Sequence, residues 1–194
     1  MKTEKLIIEE IFKGIFFTQN EIDFINKKFK KVTLTKGEFL IKPDVFLNHQ
    51  FYIFSGCLRS FFIDSSGKEH TTQFAIKDWW ITDYISYFTL EKSVLNVQCI
   101  QDAVVYKFSR EDLEEIYIRY PKIHFFVRKK LERGYASSFR RILDNLSKSA
   151  KERYLDFIKK YPNIEKNVKN YHIASFLGIT TESLSRVRKA LKER

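Results

Sequence analysis

Apolar residues recur at helical spacing over the first thirty positions. Leu6, Ile7, Ile11 and Ile15 mark one stripe, and Ile22, Ile25 and Phe29 mark a second that opens at Asn20-Glu21. From Val32 to Phe108 the rhythm shortens to β-branched and aromatic runs: Glu38–Ile41, Phe51–Ser55, Leu58–Ile63, Thr71–Ala75, Val94–Ile100 and Val104–Phe108. Turn signals stand between them at Lys36-Gly37, Ser55-Gly56 and Asp64-Ser65-Ser66-Gly67. Many short strands at this spacing predict a sandwich or roll. Ser109-Arg110-Glu111-Asp112 then caps a helix that runs to Tyr120, with acidic side chains in the first turn where the macrodipole favours them.

Pro121 interrupts, and the spacing predicts a long helix from about Lys122 to Leu146. Its stripe is Ile123, Val127, Leu131, Tyr135, Phe139, Ile142 and Leu146, in steps of four and three. At 1.5 Å per residue such a helix is about 36 Å long. That length suits pairing with a second copy, so these residues are the expected dimer seam. Another amphipathic helix, Ala150–Tyr161, is stopped by Pro162. The expected architecture is α+β: a sandwich or roll with N-terminal helices over residues 1–118, a dimerisation helix over 119–146, and an all-α tail over 147–194.

Charge sharpens this division. Residues 1–118 carry 15 Lys and Arg against 17 Asp and Glu, whereas residues 119–194 carry 20 against 7. A basic rear behind a near-neutral front points to a polyanion as the rear module's partner, because phosphate neutralisation releases counterions. No apolar run approaches the ~18 residues of a membrane span, and Met1-Lys2-Thr3-Glu4-Lys5 opens without the apolar stretch of a signal peptide, so a cytoplasmic protein is expected. Cys57 and Cys99 are too few for a disulfide scaffold and read as small buried residues.

The segment Tyr171–Val187 satisfies the steric pattern of a helix-turn-helix. Gly178 supplies the positive φ of a sharp turn, Ala174 lets the helices approach, and Ile173, Leu177, Ile179, Leu184 and Val187 form the inward set. Thr180 is the expected N-cap of the second helix. That helix would present Thr181, Glu182, Ser185, Arg186 and Lys189 outward. Arg186 suits guanine O6/N7, Glu182 can accept from cytosine N4, and Thr181 and Ser185 suit bases or phosphates. Lys169, Arg188 and Lys192 are the expected phosphate contacts.

With these features in hand, the chain resembles the Crp/Fnr family of bacterial transcription regulators over nearly its whole length. Thr35–Ile41 is similar to the early strand-turn-strand of that family's cyclic-nucleotide-binding β-roll, and Phe54-Ser55-Gly56-Cys57-Leu58-Arg59 is similar to its glycine-centred hairpin. The resemblance implies a double-stranded β-roll, a homodimer, a palindromic site on double-stranded DNA and contacts with RNA polymerase. It places DNA recognition on Thr181, Glu182 and Arg186, with Thr181 where the cyclic-AMP type has arginine. With Arg194 the last residue of the sequence, the family's full wing is not expected.

The resemblance also locates an effector pocket, at Trp79, Trp80, Thr82, Asp83, Lys92 and Ser93. Family members that bind cyclic nucleotides carry a Gly-Glu pair for the ribose and an Arg-Ser pair for the phosphate. Lys77–Asp83 contains neither glycine nor glutamate, and Lys92-Ser93 replaces arginine with a point charge. No cofactor is identified; cyclic nucleotide is disfavoured, and an unknown small molecule or no effector at all is expected. The alternatives are a ligand-independent architectural DNA-binding protein and, from another class, a metal-dependent β-barrel enzyme using His49, His70 and Asp83. No paired H-x-H motif supports that enzyme, and no metal site is assigned.

Overall fold

A computed structural model describes residues 2–192. Of the expected features, the Leu6 side chain and the chain end at Arg194 lie outside the described residues. Two helices open the chain, α1 (Lys2–Ile11) and α2 (Gln19–Asn26). Thr18 and Glu21 form a reciprocal capping box on α2, which satisfies two of the N–H groups a helix start leaves bare. The strands are β1 (Phe29–Leu34), β2 (Phe39–Ile41), β3 (His49–Ile63), β4 (Glu69–Ile76), β5 (Trp80–Ile81) and β6 (Asn96–Ser109), with α3 (Tyr84–Thr89) between the last two. They form one sheet in the order β1-β6-β3-β4, with β2 added on β6 and β5 on β3. The chain therefore has the mixed fold its pattern predicts, with an antiparallel sheet ahead of a long helix.

Alternation sorts the sheet's side chains between two cores, as the period of two requires. Phe51 and Ile53 of β3, with Val97, Cys99, Ala103 and Val105 of β6, fill the interior of the roll. Tyr52, Tyr106 and Phe108 point the other way and join Ile8, Ile11, Phe12, Ile22, Ile25, Leu113 and Ile116 beneath the helices.

One expectation is corrected here. Ser55-Gly56 is not the centre of a hairpin; β3 runs through it, and the two predicted runs around it are a single strand. Gly56 has φ +89°, and a Cβ there would lie 2.3 Å from the Asp102 carbonyl oxygen and 2.6 Å from Ala103. Close approach of two backbones, rather than a chain reversal, demands the glycine.

After α4 (Arg110–Arg119), capped by Ser109 as expected, come α5 (Pro121–Ser147), α6 (Ala150–Lys160), α7 (Pro162–Asn167), α8 (Asn170–Leu177) and α9 (Thr181–Lys192). Pro121 and Pro162 do not separate helices by breaking them. Each occupies a first helical position, where the missing N–H costs nothing.

Contacts divide the chain into two compact units. One combines residues up to Ser60 with Phe74–Leu131; the other combines Phe61–Gln73 with the residues from Glu132 onward.

Candidate functional site

The turn between α8 and α9 is built from local signals. Gly178 adopts φ 64°, ψ 35°, its N–H reaches the Ala174 and Ser175 carbonyls, and the Ile179 N–H reaches Ala174 O at 3.0 Å. Those bonds close the end of α8 in the six-to-one pattern that a left-handed glycine allows. Thr180 then caps α9, its Oγ1 accepting from the Ser183 N–H at 3.2 Å. Ile173, Ala174, Leu177 and Leu184 are buried where the two helices meet, with Leu184 fully so.

Burial of Leu184 fixes which side of α9 faces outward. Glu182, Ser185, Arg186, Lys189 and Lys192 are exposed and fall three or four positions apart, so they share one face; Thr181 is half-buried beside them. The Glu182 carboxyl is held below its usual range by its own backbone N–H and then by the Thr180 and Thr181 hydroxyls, so it is ionised at neutral pH and acceptor-only. The Arg186 guanidinium reaches Ser183 Oγ at 3.1 Å and remains exposed. Lys169 is exposed just before α8.

Arg188 departs from the expected phosphate contacts. It turns inward: Nε donates to the Tyr154 hydroxyl at 3.0 Å, Nη2 pairs with Glu165 at 2.9 Å, and Nη1 bonds Asn170. Tyr154 in turn donates to Glu165 at 2.9 Å. One guanidinium therefore fastens α9 to α6, α7 and α8. Helical spacing does not distinguish such a rivet from an outward arginine.

Sequence reasoning marked the turn at Asp64–Gly67 but missed the packing of its hairpin on α8. Asp64 accepts from Ser66 and Lys68 N–H groups and lies 2.6 Å from His70 Nε2, which shapes the tip between β3 and β4. Behind the tip, Ser175 Oγ of α8 donates to the Glu69 carbonyl and accepts from the Thr71 N–H, both at 2.8 Å. Arg141 of α5 lies against the Phe176 ring, 4.9 Å from its centroid, and burial lowers its pKa.

The six residues expected to form an effector pocket scatter, apart from one pair. Trp80 belongs to the helix-side core, with its ring 5.7 Å from Tyr52 and 5.3 Å from Phe108, whereas Trp79 packs on the roll interior. Thr82 Oγ1 donates to the His49 carbonyl at 2.9 Å, and Lys92 is exposed. Asp83 and Ser93 do come together, 3.0 Å apart and both buried. Among the described residues no group of three His, Cys, Asp or Glu is placed to hold a metal ion. His70 lies beside Asp64 at the hairpin tip, whereas Asp83 meets Ser93.

The long helix splits its stripe between two uses. Ile123 and Val127 are buried and Leu131 half-buried against the chain's own α1, α2 and α4 core, which corrects their assignment to a dimer seam. Tyr135, Phe139, Ile142 and Leu146 remain 51–81% exposed.

Comparison with known proteins agrees with this layout. Residues 31–120 match the cyclic nucleotide-binding domain family. The transcriptional activator protein Anr of Pseudomonas protegens is 22% identical over 165 residues, covering 79% of this chain and 67% of that protein. Among solved structures, the c-di-GMP-responsive global regulator CLP of Xanthomonas campestris aligns over 91% of this chain and 92% of its own, with TM-score 0.73 and 12% identity. A CooA mutant from Carboxydothermus hydrogenoformans aligns over 95% and 83%, with TM-score 0.71 and 17% identity. The fold is thus a cyclic nucleotide-binding-type roll joined by a long helix to a helix-turn-helix. By the domain match and the Anr likeness, the chain is similar to regulators such as Anr and CLP over most of its length. Among the described residues, no helix is long and apolar enough to cross a membrane.

Proposed function

We propose that the chain binds double-stranded DNA as a homodimer in the cytoplasm, reads a palindromic operator with α9 and thereby regulates transcription together with RNA polymerase. The observation that carries this reading is the outward face of α9. Glu182, Ser185, Arg186 and Lys189 are exposed in one stripe on a helix anchored by Leu184 and Arg188. Arg186 is the guanine reader and Glu182 the cytosine acceptor. Thr180 holds the helix end in place, while Thr181, Ser185, Lys169, Lys189 and Lys192 contact phosphates and neighbouring base edges. A working division follows of sensor (1–118), dimer helix (119–146) and DNA-binding module (147–194). The test is in vitro selection of bound sequences. Arg186→Ala is expected to relax preference at one position per half-site and to cost about 1–3 kcal/mol of specific binding. Unchanged preference rejects the assignment.

The sensor pocket in this reading is degenerate. Its residues do not fit a cyclic nucleotide: Lys92 is exposed, Trp80 is part of the core, and the donors around Ser93 already serve Asp83. That last observation also favours a second reading, a regulator that needs no small-molecule effector. A metabolite that raised operator affinity in a thermal-shift and binding screen would reject the second reading and keep the first.

A further inference from the structure

Asp83 is fully buried, and its two carboxylate oxygens do different work. Oδ1 caps α3, accepting from the Ile85 N–H at 3.0 Å and the Ser86 N–H at 3.4 Å. A cap needs no more than that, and serine or asparagine provides it. Oδ2 is surplus to the cap, yet three donors converge on it from the turn after Lys92. Ser93 Oγ and the Val94 N–H stand at 3.0 Å and the Leu95 N–H at 3.2 Å.

The turn that supplies them is itself held in place. Ser93 exchanges backbone bonds with Asp44 and Val45, both 2.8 Å. One hydroxyl and two successive backbone N–H groups aimed at a single point make the kind of concavity that seats an oxyanion. A buried carboxylate is stable only when such donors replace its lost water.

We propose that Asp83 is a resident anion: its Oδ2 fills an oxyanion seat built by Ser93, Val94 and Leu95, so the protein admits no phosphate-bearing effector there. The inference rests on reading residues 31–120 as a sensor domain whose pocket is degenerate. It names the side chain that fills the oxyanion seat, and it does not depend on the DNA-binding assignment.

Asp83→Ser is the informative variant, because serine still caps α3 but does not reach the turn. Thermal unfolding of the full chain is followed in inorganic phosphate, in cyclic AMP and in chloride of equal ionic strength, with native helix content checked by circular dichroism. Inorganic phosphate is expected to raise the midpoint of Asp83→Ser by roughly 5–10 °C at a hundredfold excess over Kd, and neither phosphate nor cyclic AMP is expected to raise the wild type above chloride. Two outcomes overturn the proposal: saturable binding of either ligand by the wild type, or a folded Asp83→Ser that responds to phosphate no more than to chloride. Should Asp83→Ser not fold, calorimetric titration of the wild type with both ligands still decides, since measurable binding refutes the closed seat and its absence upholds it. None of these readouts involves DNA, so failure of the operator selection is a separate result.

Discussion

Arg186 and Arg188 stand two positions apart on α9 and serve opposite ends. Arg186 is exposed, with one hydrogen bond to Ser183 within its own helix; Arg188 is drawn in among Tyr154, Glu165 and Asn170. Truncating the two should therefore separate specificity from stability. Arg188→Ala leaves Glu165 and Tyr154 short of a charged partner at a half-buried position and should cost about 1–3 kcal/mol of folding stability, read from a denaturant midpoint. Its selected DNA sequences should match those of the wild type. A changed base preference with unchanged stability would sink the inward placement.

At the scale of elements, the telling feature is the pair of long strands. β3 and β6 run 15 and 14 residues, and each absorbs two runs that the sequence pattern separates. They stay continuous because Gly56 lets them meet at a distance that no Cβ tolerates. Gly56→Ala combines a strained positive φ with a backbone clash and should destabilise by about 2–5 kcal/mol, measured by chemical denaturation. An alanine variant within 1 kcal/mol of the wild type would contradict the close approach. The helices are more self-contained. Thr18, Ser109, Ser149 and Thr180 each cap the helix that follows, and the sequence reading marked Ser109 and Thr180 of these.

For the whole molecule, the question is which part of α5 would meet a second copy in the proposed dimer. Ile123, Val127 and Leu131 are committed to the chain's own core, which leaves the Tyr135, Phe139, Ile142 and Leu146 stripe for that dimer. Its steps of four, three and four are those of a two-stranded coiled coil. Phe139→Glu should give a folded monomer in sedimentation and lose tight operator binding. Leu131→Glu should instead lower the unfolding midpoint, because its charge enters the helix-side core. A Phe139→Glu protein that sediments as a dimer would move the interface elsewhere.

By itself the sequence determined the principal helices and strand runs, the Ser109 and Thr180 caps, and the Gly178 turn that shapes the helix-turn-helix. It carried the second helical stripe to Phe29, where β1 begins, and marked neither α3 nor α7. Each feature it determined depends on hydrogen bonds or φ preferences among neighbours a few residues apart, so the residues that cause it stand next to one another in the chain. Only the tertiary structure decided which apolar turns of α5 are used inside the chain's own core, that Arg188 faces in, that Gly56 serves a close crossing, and that Asp83 meets the turn at Ser93–Leu95. These outcomes depend on partners dozens of residues away. Periodicity says that a side chain lies on a face, but the fold chooses what that face touches.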